Sequence, residues 1–139
     1  MLLLYYAVVV LLFWLCLTLY LGYGRSRMQY LKAIPVNTPF AGPSVVIIIA
    51  VRNEETHLAQ ALQSVTQLQY SRYRILIIND RSTDGTAAIL KTFEKQHPHI
   101  SVQHITELPA GWLGKNHALY TGYQASTEAW MLFADADVV

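Results

Sequence analysis

The sequence predicts an α/β fold, a mostly parallel sheet built in the order β-α-β-α-β-α-β and preceded by one N-terminal transmembrane helix. Three observations carry this. Residues 2 to 24 contain no charged side chain. Beyond them, β-branched apolar runs alternate with stretches of helical period, the pattern of a parallel sheet with crossover helices. Each main apolar run empties into polar residues: Arg52-Asn53-Glu54, Asp80 with its loop, and Asp135 with Asp137. In open sheets of this type ligands bind beyond the carboxyl ends of the strands.

The first element is the uncharged segment, assigned as a transmembrane helix over residues 1–24. At about 1.5 Å per residue it is roughly 35 Å long, enough to cross a hydrocarbon core. Tyr5 and Tyr6 lie near one end, Tyr20 and Tyr23 near the other, where interfacial aromatics belong. A cleavable signal peptide fits less well, because there is no basic n-region, the run is too long, and no A-x-A-like site follows. Residues 25–43 read as a basic juxtamembrane connector with Arg25, Arg27 and Lys32, punctuated by Pro35, Pro39, Gly42 and Pro43. By the positive-inside rule this flank is cytoplasmic, so the soluble part, residues 44–139, is expected on the cytoplasmic side of the membrane.

Val45 to Val51 lacks alternation, as expected of a strand buried on both faces. A helix is expected from about Glu54 to Gln67, with Leu58, Ala61, Leu62 and Val65 at helical spacing and two acids in its first turn. Ile75 to Ile78 is a second buried strand. A helix over about Thr86 to Lys95 is closed by Pro98. Ile100 to Ile105 alternates more and reads as an edge strand. A third soluble helix is expected near Lys115 to Ala125, and then a buried strand, Trp130 to Ala134.

Composition narrows the function. The net charge of +1 gives no electrostatic case for a nucleic-acid partner. The single cysteine, Cys16, lies inside the apolar span and can form no internal disulfide.

The polar groups at the strand ends carry the chemistry. Asp135 and Asp137 are two residues apart, so in an extended segment both carboxylates face one side, suiting a hard divalent cation. Asp80, an acid closing a buried strand, can accept a hydrogen bond from a base N–H or a ribose hydroxyl. Asn53 and Glu54, taken alone, read first as a helix cap and a complement to the helix dipole. Asp84-Gly85 reads as turn and cap chemistry. Gly111-Trp112-Leu113-Gly114-Lys115 places a lysine at a helix start, where N–H groups suit phosphate. By itself this G-x-x-G-K is weak, and it is not the P-loop spacing. His117 reads equally as a packing histidine, and His97, His99 and His104 show no ligand spacing.

Together, V-V-I-I-I-A-V-R-N-E-E, I-L-I-I-N-D-R-S-T-D-G-T, L-P-A-G-W-L-G-K-N-H-A-L and F-A-D-A-D-V resemble the nucleotide-binding half of glycosyltransferase family 2 with the GT-A fold. The likeness covers about residues 43–139. The third piece, with the span, is most similar to membrane enzymes that glycosylate lipids of the carotenoid or hopanoid-associated type. The resemblance implies a nucleotide-sugar donor of the UDP class and a lipid or glycan acceptor. It implies that Arg52 and Glu54 line the base pocket, Asp80 contacts uracil or ribose, and Lys115 sits near the diphosphate. It implies that Asp135 and Asp137 hold Mg²⁺ or Mn²⁺ there. Many relatives carry two acids where this chain has Asn79-Asp80. The family pattern puts the acceptor half, the inverting catalytic base and further membrane helices beyond Val139. The sheet is therefore expected to be incomplete and the isolated chain not to transfer sugar.

Two other readings remain. One is a portion of a processive polysaccharide synthase, whose Q-x-x-R-W motif would lie downstream. The other is a non-catalytic membrane-anchored nucleotide-binding module. A nucleotidyltransferase is disfavoured by the lack of a Gly-rich loop after the first strand, and a dinucleotide oxidoreductase by the lack of G-x-G-x-x-G.

Overall fold

The structure is a computed structural model and describes residues 1–28 and 42–136. The chain divides into two compact units, Met1–Pro39 and Phe40–Val139. Most of the connector and Asp137 lie outside the described residues.

The first unit carries helix α1, Leu2–Ser26, with no buried residue. Its mean hydropathy of 2.5 and 25-residue length are those of a helix able to cross a membrane. The hydroxyl of Thr18 within it is satisfied locally. The Thr18 hydroxyl donates to the Trp14 and Leu15 carbonyls at 2.8 and 2.9 Å. Such back-bonding is what an apolar medium demands of a hydroxyl.

The second unit is a four-stranded sheet. Its strands are β1 (Val45–Val51), β2 (Tyr73–Asp80), β3 (Ile100–Ile105) and β4 (Trp130–Asp135), in spatial order β3-β2-β1-β4. All three pairings are parallel. Helices α2 (Leu58–Thr66), α3 (Thr86–Gln96) and α4 (Gly114–Gln124) make the crossovers.

The uninterrupted apolar run of β1 is explained by two cores. Ile47, Ile49 and Val51, with Ile75 and Ile77 of β2, pack against Leu58 and Leu62 of α2 and Leu90 of α3. Val46 and Ile48, with Leu76 and Ile78, pack against Ala118 and Leu119 of α4. Adjacent residues therefore serve opposite faces, and neither can be polar. Gly122 lets α4 lie close to the sheet, since a Cβ there would stand 2.5 Å from Ile48 Cγ2.

Three expectations are corrected. Helix α2 begins at Leu58 rather than Glu54. Asn53 takes a left-handed conformation, φ 56°, and the backbone N–H groups of Glu54 and Glu55 donate to Thr86 Oγ1 and Asp84 Oδ2. The two acids thus lie in turns ahead of the helix. Strand β2 runs on through Asp80. Strand β4 is not buried: it is an edge of the sheet, and Trp130, Leu132 and Phe133 are 65%, 53% and 50% exposed. Helix α4 packs chiefly on β1 and β2, and on β4 Met131 and Ala134 are partly buried against the two cores. The edge position expected of β3 is found.

The end of the sheet away from the strand carboxyl termini is tied by Arg74. Its Nε and Nη2 donate to Glu128 Oε1 and Oε2 at 2.7 and 3.1 Å, and Nη1 donates to Ser101 Oγ at 3.2 Å. The hydrogen bond from Arg74 pulls the Glu128 carboxyl down from 4.5 to about 2. Because the folded value lies below the unfolded one, the stabilisation is complete above pH 4.5 and is lost as pH falls toward 2. Discounted for the one-third exposure of Arg74, Glu128→Gln should cost about 1–2 kcal/mol at pH 7. Urea titrations of both forms should converge as pH is lowered through that window. A gap that stays constant down to pH 2 would rule out the pair as its source.

Candidate functional site

Alternation along each strand decides which side chains meet. The even-numbered residues of β1 and β2 face α4, so Asp80 continues the face of Leu76 and Ile78. On β4, Met131 belongs to the α4 side and Ala134 to the other, so Asp135 continues the face of Met131. Because the strands are parallel, their carboxyl ends open on one side, where α4 begins. A cleft of about 380 Å³ lies there, lined among others by Arg52, Glu54, Asp80, Gly114, Lys115 and Asp135. Five residues singled out in the sequence (Arg52, Glu54, Asp80, Lys115 and Asp135) thus share one cleft. The sixth, Asp137, lies outside the described residues.

Asp80 is the buried charge of the site, 3% exposed. Arg81 grips it in a fork, with Nε donating to Oδ1 at 2.7 Å and Nη2 to Oδ2 at 3.1 Å. That hydrogen bonding holds the carboxyl below the usual aspartate range against the opposing pull of burial, with Arg52 and His117 contributing at longer range. Arg81 itself has φ 56°, a left-handed conformation uncommon outside glycine.

Gly114 is required by this packing. A Cβ built on it would meet Asp80 Oδ2 at 2.7 Å and Arg81 Nη2 at 3.1 Å. The second glycine of the G-x-x-G-K stretch therefore lets α4 start directly over the ion pair. Lys115 follows, and its Nζ donates to Asp135 Oδ1 at 2.6 Å. Both side chains are more than half exposed, 60% and 55%. His117 lies one turn further, its ring 5.5 Å from that of Trp112. Its buried Nδ1 has no hydrogen-bond partner among the described residues.

The two loops behind the cleft are stitched together. Asn53 N–H donates to Ser82 Oγ at 3.0 Å, and Asn53 Oδ1 accepts from Thr83 N–H at 2.8 Å. Gly85 N–H donates to Glu55 Oε2 at 2.6 Å, and Thr86 N–H to Asp84 Oδ1 at 3.0 Å. Asn53 and Asp84 are therefore structural. Asn79 turns to the other face, where its amide meets His104 Nδ1 at 3.1 Å. Sequence reasoning did not single out Arg81, although a cation beside a strand-end acid was a readable signal.

The glycosyl transferase family 2 pattern matches residues 46–139. The chain belongs to glycosyl transferase family 2. It is 34% identical over 113 residues to a 4,4'-diaponeurosporenoate glycosyltransferase of Staphylococcus aureus (strain bovine RF122 / ET3-1), a match covering 81% of this chain and 28% of that protein. The chain thus spans under a third of the length of that curated relative. Its fold is similar to that of a mannosyltransferase from Pyrobaculum calidifontis solved with GDP-Man and Mn²⁺, with TM-score 0.67 and 23% identity over 87% of this chain and 34% of that one. It is also similar to glucosyl-3-phosphoglycerate synthase from Mycobacterium tuberculosis, solved with Mn²⁺, UDP and glucosyl-3-phosphoglycerate. There the TM-score is 0.56 and identity 20%, over 71% of this chain and 35% of that one. At these identities the likeness shows the family 2 chain to have a GT-A-like fold.

Gly114→Ala should dislodge the Asp80–Arg81 fork. The Asp80 titration midpoint, followed by carboxyl NMR, should rise toward the ordinary aspartate range. An unchanged midpoint would mean that α4 does not press on the pair.

Proposed function

We propose that this chain is the donor-binding portion of a membrane-anchored glycosyltransferase that uses a nucleotide sugar of the UDP class and a lipid or glycan acceptor. The reading rests on one observation, the convergence of Arg52, Glu54, Asp80, Lys115 and Asp135 on a single cleft in a family 2 chain. Each side chain has work suited to its setting. Asp80, buried and ionised, accepts a hydrogen bond from the base or ribose. Arg52 and Glu54 line the same pocket. Lys115, at the start of α4, meets the diphosphate beside helix N–H groups.

A hard divalent cation fits this donor set. Asp135 offers an exposed carboxylate at the cleft, and Mg²⁺ or Mn²⁺ needs only one or two carboxylates when phosphate and water complete its shell. Among the described residues no three His, Cys, Asp or Glu side chains cluster. Asp137 is proposed as the second ligand from its spacing alone. When bound, the cation supplies Lewis-acid stabilisation to the departing nucleoside diphosphate. The exposed pairing of Lys115 with Asp135 keeps the two charges that would meet diphosphate and cation side by side.

Helix α1 is proposed as a single membrane anchor over residues 1–24, residues 25–43 as a basic connector, and residues 44–139 as the donor-binding unit. The lipid acceptor is supported by the name of the Staphylococcus relative and by the apolar span. Arg25, Arg27 and Lys32 favour a cytoplasmic donor site, at a bacterial inner membrane.

Calorimetric titration of UDP into the full chain in detergent micelles tests the reading. Removing Mn²⁺ should weaken binding about tenfold or more, and Asp135→Asn should abolish that metal dependence while leaving the metal-free affinity in place. A folded sample that binds UDP equally with and without Mn²⁺ would contradict the metal assignment. One that binds no nucleotide would contradict the donor site.

A further inference from the structure

We propose that Lys115 is the standing counter-ion of Asp135 and makes cation binding there conditional on the diphosphate. The inference rests on the reading of the cleft as the donor site. It deepens that reading by making the two ligands depend on each other. The phosphates of the nucleotide draw the ammonium away, and the released carboxylate takes the divalent cation.

The pair is built on fixed stems. Asp135 closes β4, in register with Ala50 of β1. Lys115 follows Gly114, where an added Cβ would stand 2.7 Å from Asp80 Oδ2, so the start of α4 has little room to shift. The charged heads differ from their stems. Nζ donates to Oδ1 at 2.6 Å, yet the two side chains are 60% and 55% exposed. The Asp80 side chain is 4% exposed and gripped by two guanidinium donors. Asp135 is therefore the carboxylate that an incoming ligand meets, and it is the one that carries a lysine.

An ammonium on that carboxylate opposes a cation in two ways. It uses a lone-pair site of an oxygen that a hard metal would need. A metal bonded to Oδ1 at about 2.1 Å would also stand within about 5 Å of Nζ, where like charges repel. A diphosphate removes both obstacles. Helix α4 receives it without a built-in competitor, since Leu113 at the N-cap makes no side-chain cap bond and no acid stands in the first turn. Helix N–H groups and Lys115 then serve one anion. Lysine suits the exchange, because its ammonium is a point charge on a flexible stem and has no fixed two-donor geometry to lose on moving. The phosphate oxygens in turn fill positions that one or two carboxylates leave open on the cation.

The first readout is Mn²⁺ alone. Free Mn²⁺ is counted by its electron paramagnetic resonance signal, with the full chain in micelles. Lys115→Met removes the charge and keeps a long, helix-favouring side chain, and Lys115→Arg keeps the charge. Thermal unfolding of each variant reports on folding. Lys115→Met should bind Mn²⁺ alone about threefold to fivefold more tightly than wild type, the scale of an exposed ion pair, while Lys115→Arg stays near wild type. Adding Asp135→Asn to Lys115→Met should erase the gain. Titrations of UDP with and without Mn²⁺ give the second readout. Because coupling between two ligands is reciprocal, the factor by which Mn²⁺ tightens UDP should shrink in Lys115→Met by about the same amount. A lysine that only touches phosphate would weaken UDP alike with and without Mn²⁺ and leave the affinity for Mn²⁺ alone unchanged, which would overturn the proposal. A gain that survives Asp135→Asn would overturn it too, since it would belong to another carboxylate. Failure of wild type to bind UDP with Mn²⁺ would remove the donor-site reading, and this inference with it.

Discussion

The arrangement depends on one constraint: β1 is parallel to both of its neighbours and buried on both faces. Parallel strands leave no choice about where their carboxyl ends lie, so every polar strand end opens on one side. Burial on both faces then excludes polar residues from the strand interior and pushes them to those ends. The period of two does the rest. It sends Ile47, Ile49 and Val51 to α2 and α3, and Val46 and Ile48 to α4. A one-residue slip of β2 would exchange Asp80 for Asn79 on the α4 face and leave the cleft without its buried acid.

The cleft holds two acid–base pairs of opposite character. Asp80–Arg81 is forked around a buried carboxylate, and removing the arginine would leave that buried charge uncompensated. Lys115–Asp135 is more than half exposed, a setting in which ion pairs contribute about 0–1 kcal/mol. The first pair is therefore a fixed part of the frame, and the second stands exposed to an incoming ligand. In the proposed donor site, this division would keep the base end rigid while the phosphate end admits a ligand and its counter-ion. The glycine at position 114 links the two, since it starts the helix that carries Lys115 and also roofs the Asp80 carboxylate.

Much of this was legible in the sequence because burial leaves a plain trace. The unbroken β-branched run of β1 and the alternation of β3 gave their places in the sheet correctly. The same rule misled at β4, where an apolar run reads as buried although Trp130, Leu132 and Phe133 lie exposed on an edge. Hydrophobicity marks a surface that can be covered, not one that is. The start of α2 was missed because Asn53 turns left-handed and the following amides serve the neighbouring loop. Contacts between residues about 30 apart leave no local signature. Arg81 was readable beside its acid, but Gly114, the glycine that packs over the pair, lies far along the chain and left no such signal.

The central claim is that the strand ends form one nucleoside-diphosphate site rather than a set of separate polar patches. Paramagnetic broadening by Mn²⁺ tests it directly. Amide signals of the full chain in micelles are recorded with Mn²⁺ alone and then with UDP added. The account predicts that UDP brings Asp135, Lys115 and Gly114 into strong broadening together, with Arg52 and Asp80 affected more weakly. Broadening that ignores UDP, or that scatters over Glu94, Glu107 and other surface carboxylates, would contradict it.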